Sequence, residues 1–171
     1  MERLNDYIIP AARQGNTAVI SELVKQGADV NTSNEQGHTP LIIACYHDHY
    51  DAAKLLLEAG ADVNARDNGG NTALMGVSFK GYTDLAGLLI KHHADLDVQH
   101  GNGGTALMFA VMFGRTPIAK LLLEHGADHS ARDIRGFSAA DHAAQQGNLE
   151  AQQLIESFQN RHEREIKTNA Q

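Results

Sequence analysis

Ten histidines, a single cysteine and 21 acidic residues are the groups in this chain that could bind a metal or move a proton, so their spacing is the first test of chemistry. His47 and His49 lie two residues apart at what reads as a junction between helices. His92 and His125 are 33 residues apart, and stacked helices hold such positions about 8–10 Å apart, too far to share one zinc ion. No His-Glu-x-x-His element or other metal-ligand spacing is present. Cys45 has no second cysteine to pair with, which excludes an intrachain disulfide and a thiolate cluster and leaves a small buried packing residue as the expectation. Asp29, Asp62, Asp95 and Asp128 recur at one period, as turn residues accepting local backbone hydrogen bonds do, and not as paired acid and base. Gly-x-Ser-x-Gly, phosphate-loop and dinucleotide signatures are also missing. The assignment is therefore no catalytic residue, no metal and no cofactor. The contrasting reading is a metal-carrying or enzymatic accessory protein that uses surface histidines.

The elements that carry these residues are copies of one unit. Gly-Ala-Asp begins at Gly27, Gly60 and Gly126, with His93-Ala94-Asp95 in phase between them. A fixed period of this length signals a stacked array. Thr39-Pro40-Leu41 opens a short helix, because proline is tolerated where its missing N–H would have no partner, and Thr72 and Thr105 repeat the start. Small residues follow at Ala44, Val77, Ala110 and Ala143, and again at Cys45, Ser78, Val111 and Ala144, which lets a neighbouring helix approach. A second helix carries Leu55-Leu56, Leu88-Leu89 and Leu121-Leu122 and stops where Gly60 and Gly126 can turn left-handed. His93 stands at that stop in one unit and is expected at positive φ. Asp62 to Gly70, rich in Asn, Asp and Gly, reads as an extended turn.

The pattern resembles the ankyrin repeat, through Gly37-His38-Thr39-Pro40-Leu41 followed by Leu55-Leu56-Leu57-Glu58-Ala59-Gly60-Ala61-Asp62-Val63-Asn64. The resemblance covers roughly residues 4 to 158. It implies an all-α repeat solenoid of helix-turn-helix units with extended β-turn fingers. Three full repeats are expected at about 34–66, 67–99 and 100–132, between capping repeats at about 4–33 and 133–158. The family's histidine after Thr-Pro-Leu is replaced by Ile42, Met75, Met108 and Asp141, so apolar packing is expected in its place. Thr-Ala-Leu-Met at 72–75 and 105–108 is similar to bacterial members, some of which accompany a catalase in stress defence while others are immunity proteins that mask a toxic enzyme.

Composition narrows the partners. A net charge of −7 without a basic cluster argues against nucleic acid, whose phosphates are neutralised by grouped Lys and Arg. No apolar run approaches the roughly 18 residues of a membrane span, and the first residues lack an apolar signal core. The expectation is a soluble monomer in isolation, cytoplasmic as given or periplasmic if a leader has been removed. Residues 159–171, polar apart from Ile166, read as a frayed helical extension or a disordered tail. Gly101-Asn102-Gly103-Gly104 reads as the least constrained turn.

The resemblance implies a protein client held on the concave face built from extended turns and first helices. On that face the repeat phase puts Tyr46, Phe79 and Met112 in one row, with His47, Lys80 and Phe113 beside them, and the turns add His38, Asn71, Ile134, Arg135 and Phe137. These eleven residues are the candidate partner-binding set.

Overall fold

The computed structural model describes the backbone of residues 2–169 and the side chains of residues 4–161. Its helices come in pairs: α1 (Glu2–Arg13) with α2 (Thr17–Lys25), α3 (Pro40–Tyr46) with α4 (Tyr50–Glu58), α5 (Ala73–Lys80) with α6 (Thr83–Lys91), α7 (Ala106–Met112) with α8 (Thr116–Glu124), and α9 (Ala139–Gln145) with α10 (Leu149–Asn169). The first members stack as one layer, α1 on α3, α5, α7 and α9 in turn, and the second members stack as another. Only helices and turns occur among the described residues. The result is an all-α repeat solenoid.

Each first helix begins at a hydroxyl. Thr39, Thr72, Thr105 and Ser138 are buried, and their side chains accept the N–H of Ile42, Met75, Met108 and Asp141 respectively, satisfying a donor that the helix itself cannot. Small residues then let the layer close, since Ala44, Val77, Ala110 and Ala143 are fully buried between successive first helices. Leu56, Leu89, Leu122 and Ile155 seal the space between the two layers. Met75 and Met108 are buried, giving the apolar packing expected at the replaced histidine. Asp141 departs from that expectation: its carboxylate accepts from Ser138 N–H at 2.8 Å and Ser138 Oγ–H at 2.7 Å, completing a reciprocal capping box.

The units are also tied through the segments between them. Asp29, Asp62, Asp95 and Asp128 each accept the backbone N–H two residues on, at 2.8–3.0 Å. The N–H groups of Asp62, Asp95 and Asp128 are taken by the preceding unit, and that of Asp29 by the first helix of its own unit. Asn5 Oδ1 accepts from Asp29, Asn31 from Asp62, Asn64 from Asp95 and Asp97 from Asp128, at 2.7–2.8 Å. A second series joins the turn tips, where Asn68, Gly101 and Ile134 N–H donate to the carbonyls of Gln36, Gly69 and Asn102 at 3.0–3.1 Å. The turn at Gly101–Gly104 is therefore held from both sides, contrary to the sequence expectation. A Cβ at Gly103 would come within 2.9 Å of Ile134 N, so glycine serves close approach of the next turn.

Helix α10 crosses residue 158 without interruption and continues to Asn169, and Phe158 packs back against the core. Met1, Ala170 and Gln171, together with the side chains of residues 2–3 and 162–171, lie outside the described residues.

Two non-glycine residues have left-handed backbone, His93 at φ 64° and Asp48 at φ 61°. His93 is where the repeat phase predicts it. Asp48 occupies the helix junction that Gly15, Gly81, Gly114 and Gly147 fill elsewhere, all at positive φ. Replacing either residue by glycine removes a Cβ penalty, so His93→Gly and Asp48→Gly should each raise stability by several tenths to about 1 kcal/mol. Urea titration reads the change, and an unchanged or lower midpoint rules it out. Ser78 Oγ is buried without a hydrogen-bond partner in a row otherwise filled by cysteine, valine and alanine. Deleting an unsatisfied buried hydroxyl should gain about 1 kcal/mol, measurable as a higher melting temperature for Ser78→Ala.

Candidate protein-binding face

The face formed by the first helices and the turns contains a groove of about 570 Å³. Its floor is apolar: Ile42 and Ile43 from α3, Met75, Gly76 and Phe79 from α5, and Phe109 from α7. Repeat geometry explains why these residues meet. Ile43, Gly76 and Phe109 occupy one position in successive units, so the stack places them side by side. The glycine leaves a dent between two large neighbours, and a Cβ there would meet nothing within 4 Å. A helix-interior glycine costs roughly 0.5–1 kcal/mol relative to alanine, with no close packing to account for it.

One rim of the groove is polar and comes from the turns. Asn34 and Asp67 line it, their equivalents His100 and Asp133 line the neighbouring depression, and all four accept backbone N–H from their own turns. His38 Nε2 lies 3.6 Å from Asp67 Oδ2, and Asn71 Nδ2 donates to both Asp67 oxygens at 3.1 Å. Side chains at this rim are thus fixed before any partner arrives. At the other end, where the first helices finish, Arg13 and His47 line the groove and Lys80 Nζ sits 4.2 Å above the centre of the Tyr46 ring. Partial desolvation and then the charges of Arg13, His49 and Lys80 hold the His47 imidazole below its ordinary pKa.

Of the eleven candidates, His38, Tyr46, His47, Asn71 and Phe79 line this groove, with Lys80 stacked on Tyr46. Met112, Ile134 and Arg135 line a second depression of about 360 Å³ together with His100, Met108 and Phe109. Phe109 walls both. Phe113 lines neither, but its ring packs edge to face on Phe79 with centroids 4.5 Å apart and stays 42% exposed. Tyr46 is 46% and Ile134 73% exposed, while Phe79, Met112 and Phe137 are half-buried. Phe137 packs against both the Arg135 guanidinium and the His142 ring, so it shapes the last turn more than it offers free surface.

Sequence reasoning missed Phe109 and Gly76. The repeat phase singles out the row of Tyr46, Phe79 and Met112, whereas the row three residues closer to the helix starts, Ile43, Gly76 and Phe109, faces the groove as well. A glycine inside an otherwise favourable helix was the available signal.

Three of the ten histidines are taken up by backbone groups. His49 Nε2 donates to the Arg13 carbonyl at 2.9 Å, His125 Nδ1 to the Leu121 carbonyl at 2.8 Å, and His100 Nδ1 accepts the Asn102 N–H at 3.0 Å. Among the described residues no group of three His, Cys, Asp or Glu side chains is arranged to hold a metal ion, and no helix is long and apolar enough to cross a membrane. Burial pushes the Cys45 thiol up to about 12, leaving it a packing residue without thiolate character.

The second depression is bordered by a buried pair, His142 Nε2 at 3.0 Å from Asp133 Oδ2. Desolvation raises the Asp133 pKa, but N–H bonds from Phe137 and Arg135, the His142 contact and the Arg135 charge outweigh it and hold the carboxyl below its usual range. Asp141 is lowered too, first by the Ser138 N–H and hydroxyl and then by Arg132. A depressed carboxyl contributes stability that is complete above the unfolded value, roughly 3.9, and is lost as pH falls through the lower folded one. Asp128 is lowered as well, chiefly by its bonds from Ser130, so the C-terminal part of the array from the end of the third repeat onward should be acid-sensitive. Asp133→Asn keeps the turn acceptor but removes the charge, so its stability should fall less steeply than that of the native chain between pH 5 and pH 2. Denaturant unfolding at stepped pH checks this, and parallel curves would rule it out.

A family profile described as ankyrin repeats, in three copies, matches residues 7–67 and 74–165. A putative ankyrin repeat protein of Pseudomonas aeruginosa is 41% identical over 44 residues, which cover 26% of this chain and 26% of that protein. A probable E3 ubiquitin-protein ligase of rice, Oryza sativa subsp. japonica, is 39% identical over 54 residues, 32% of this chain and 10% of the ligase. The matched segment thus spans about a tenth to a quarter of these relatives.

Proposed function

Because the chain belongs to the ankyrin-repeat family, a protein–protein interaction module, we propose that it is a non-catalytic scaffold holding one client protein on the face of its first helices and turns. The observation that carries this is the apolar strip of Tyr46, Phe79, Met112 and Phe113, partly exposed beside a preformed groove. Nothing in the repeat requires large apolar side chains there. Their exposure brings the free protein no evident benefit, whereas interface cores favour aromatics and methionine. The second helices carry exposed Lys54–Glu58 and Lys120–Glu124 pairs one turn apart, and among the described residues their exposed large apolar side chains, Val19, Tyr50 and Leu149, line up at no position shared by successive units.

The role is that of an adaptor or inhibitor. In a bacterial setting, suggested by the Thr-Ala-Leu-Met starts of two repeats, the client is an enzyme accompanied in stress defence, such as a catalase, or a toxic enzyme masked by an immunity protein. A metal-carrying role finds less support, since His49, His100 and His125 are engaged with backbone.

Affinity capture with the native chain as bait, compared with a Phe113→Ala bait, identifies the client as the protein lost from the second sample. With that client in hand, Phe113→Ala and Tyr46→Ala should each weaken binding by about 2 kcal/mol, roughly 30-fold, with melting temperatures nearly unchanged. Full affinity in both variants, measured by calorimetry, would remove this face as the binding site.

A further inference from the structure

The groove has two features that the repeat does not explain, the dent at Gly76 and the charge at its helix-end mouth. Ile43 and Phe109 flank the dent and Met75 lies beside it, leaving room for one apolar side chain inserted from outside. The mouth gathers Arg13 and His47, with Lys80 fixed over Tyr46, in a chain whose net charge is −7. Among the described residues the one acid lining the groove is Asp67. It belongs to the opposite, turn-side rim and is engaged with His38 and Asn71. Asp48 stands between His47 and His49 but lines a depression with Tyr50, Asp84 and Lys91 on the side of the second helices. The cationic mouth therefore faces the groove without a carboxylate of its own chain.

We propose that the groove recognises an acidic–apolar segment of the client, with an aliphatic or aromatic side chain filling the space over Gly76 and a neighbouring carboxylate against the charges of Arg13 and Lys80, the His47 ring serving as a further N–H donor. Charge complementarity chooses this occupant. A basic segment would meet like charge at the mouth, and a wholly polar one would leave the floor of Ile42, Ile43 and Phe109 without an apolar partner. The two contacts divide the labour between anchoring and register, the apolar side chain supplying buried area and the carboxylate fixing which way the segment runs.

This inference depends on the binding-face reading above, and its test separates the two. Random dodecapeptides displayed on phage are panned against the folded native chain, against Gly76→Leu, and against an Arg13→Glu/Lys80→Glu double variant, each checked first by thermal melting. The native chain should enrich peptides with Asp or Glu within two positions of a large apolar residue. Gly76→Leu fills the dent from within, and because it replaces a helix-interior glycine it should melt no lower than the native chain, yet bind those peptides at least about tenfold more weakly. The double variant should select Lys or Arg beside the apolar residue instead. Enrichment of peptides without acidic residues, no enrichment at all, or undiminished binding by Gly76→Leu each overturns the proposal. If the client of the native chain depends on Phe113 but is indifferent to Gly76→Leu and to the charge reversal, this inference fails while the binding-face reading stands.

Discussion

The constraint on which the structure depends is that an extended segment between helices has backbone donors and acceptors that neither helix nor sheet will satisfy. Each unit solves this with its neighbour's side chain. Asn31 takes the Asp62 N–H, Asn64 that of Asp95 and Asp97 that of Asp128, while the aspartates at 29, 62, 95 and 128 close their own turns. The chain of contacts works only if every unit has the same length. An insertion in one unit would break register with both neighbours, which is the physical reason the period of 33 persists without interruption. Stacked units then share one core, and each contributes mainly to the interfaces on either side.

Inter-unit bonding displaces local bonding at one position. Asn16 and Asn148 cap their second helices by accepting the N–H of Val19 and Ala151. Their counterparts His49, Tyr82 and Arg115 make no side-chain cap. Instead His49 and Arg115 reach back to the carbonyls of Arg13 and Phe79, in the last turns of the preceding first helices. Terminal units keep the local cap, and two of the three interior ones spend the same side chain on cohesion. The same stacking holds Arg13, Phe79 and Lys80 in place at the mouth of the groove.

The binding face is what stacking leaves over. Burial fixes Leu41, Leu74 and Leu107 and the alanines between helices, but the positions of Tyr46, Phe79 and Met112 project past the layer and are free to vary. Aromatic and cationic residues gather at one end of the groove and the engaged Asp67 at the other, so the face is polar in the sense of having direction. An extended client segment laid along it meets apolar floor in the middle and opposite chemistry at its two rims.

The sequence by itself determined the repeat, the paired helices, the hydroxyl starts and the left-handed backbone at His93, because each depends on local propensity or on a period that can be counted. It also located His38, Tyr46, His47, Asn71 and Phe79 of the groove lining, a minority of it, through the repeat phase. Tertiary structure alone decided how the units join. That Asn64 bonds the unit after it, that the turn at Gly101–Gly104 is clamped on both sides, that Asp141 caps Ser138 instead of packing as its apolar counterparts do, and that Asp48 turns left-handed are matters of which groups lie within 3 Å once neighbours are stacked. The dent at Gly76 is of this kind as well. A missing side chain becomes a cavity only when the residues one unit before and one unit after rise on either side of it, and no count along a single chain brings those three positions together.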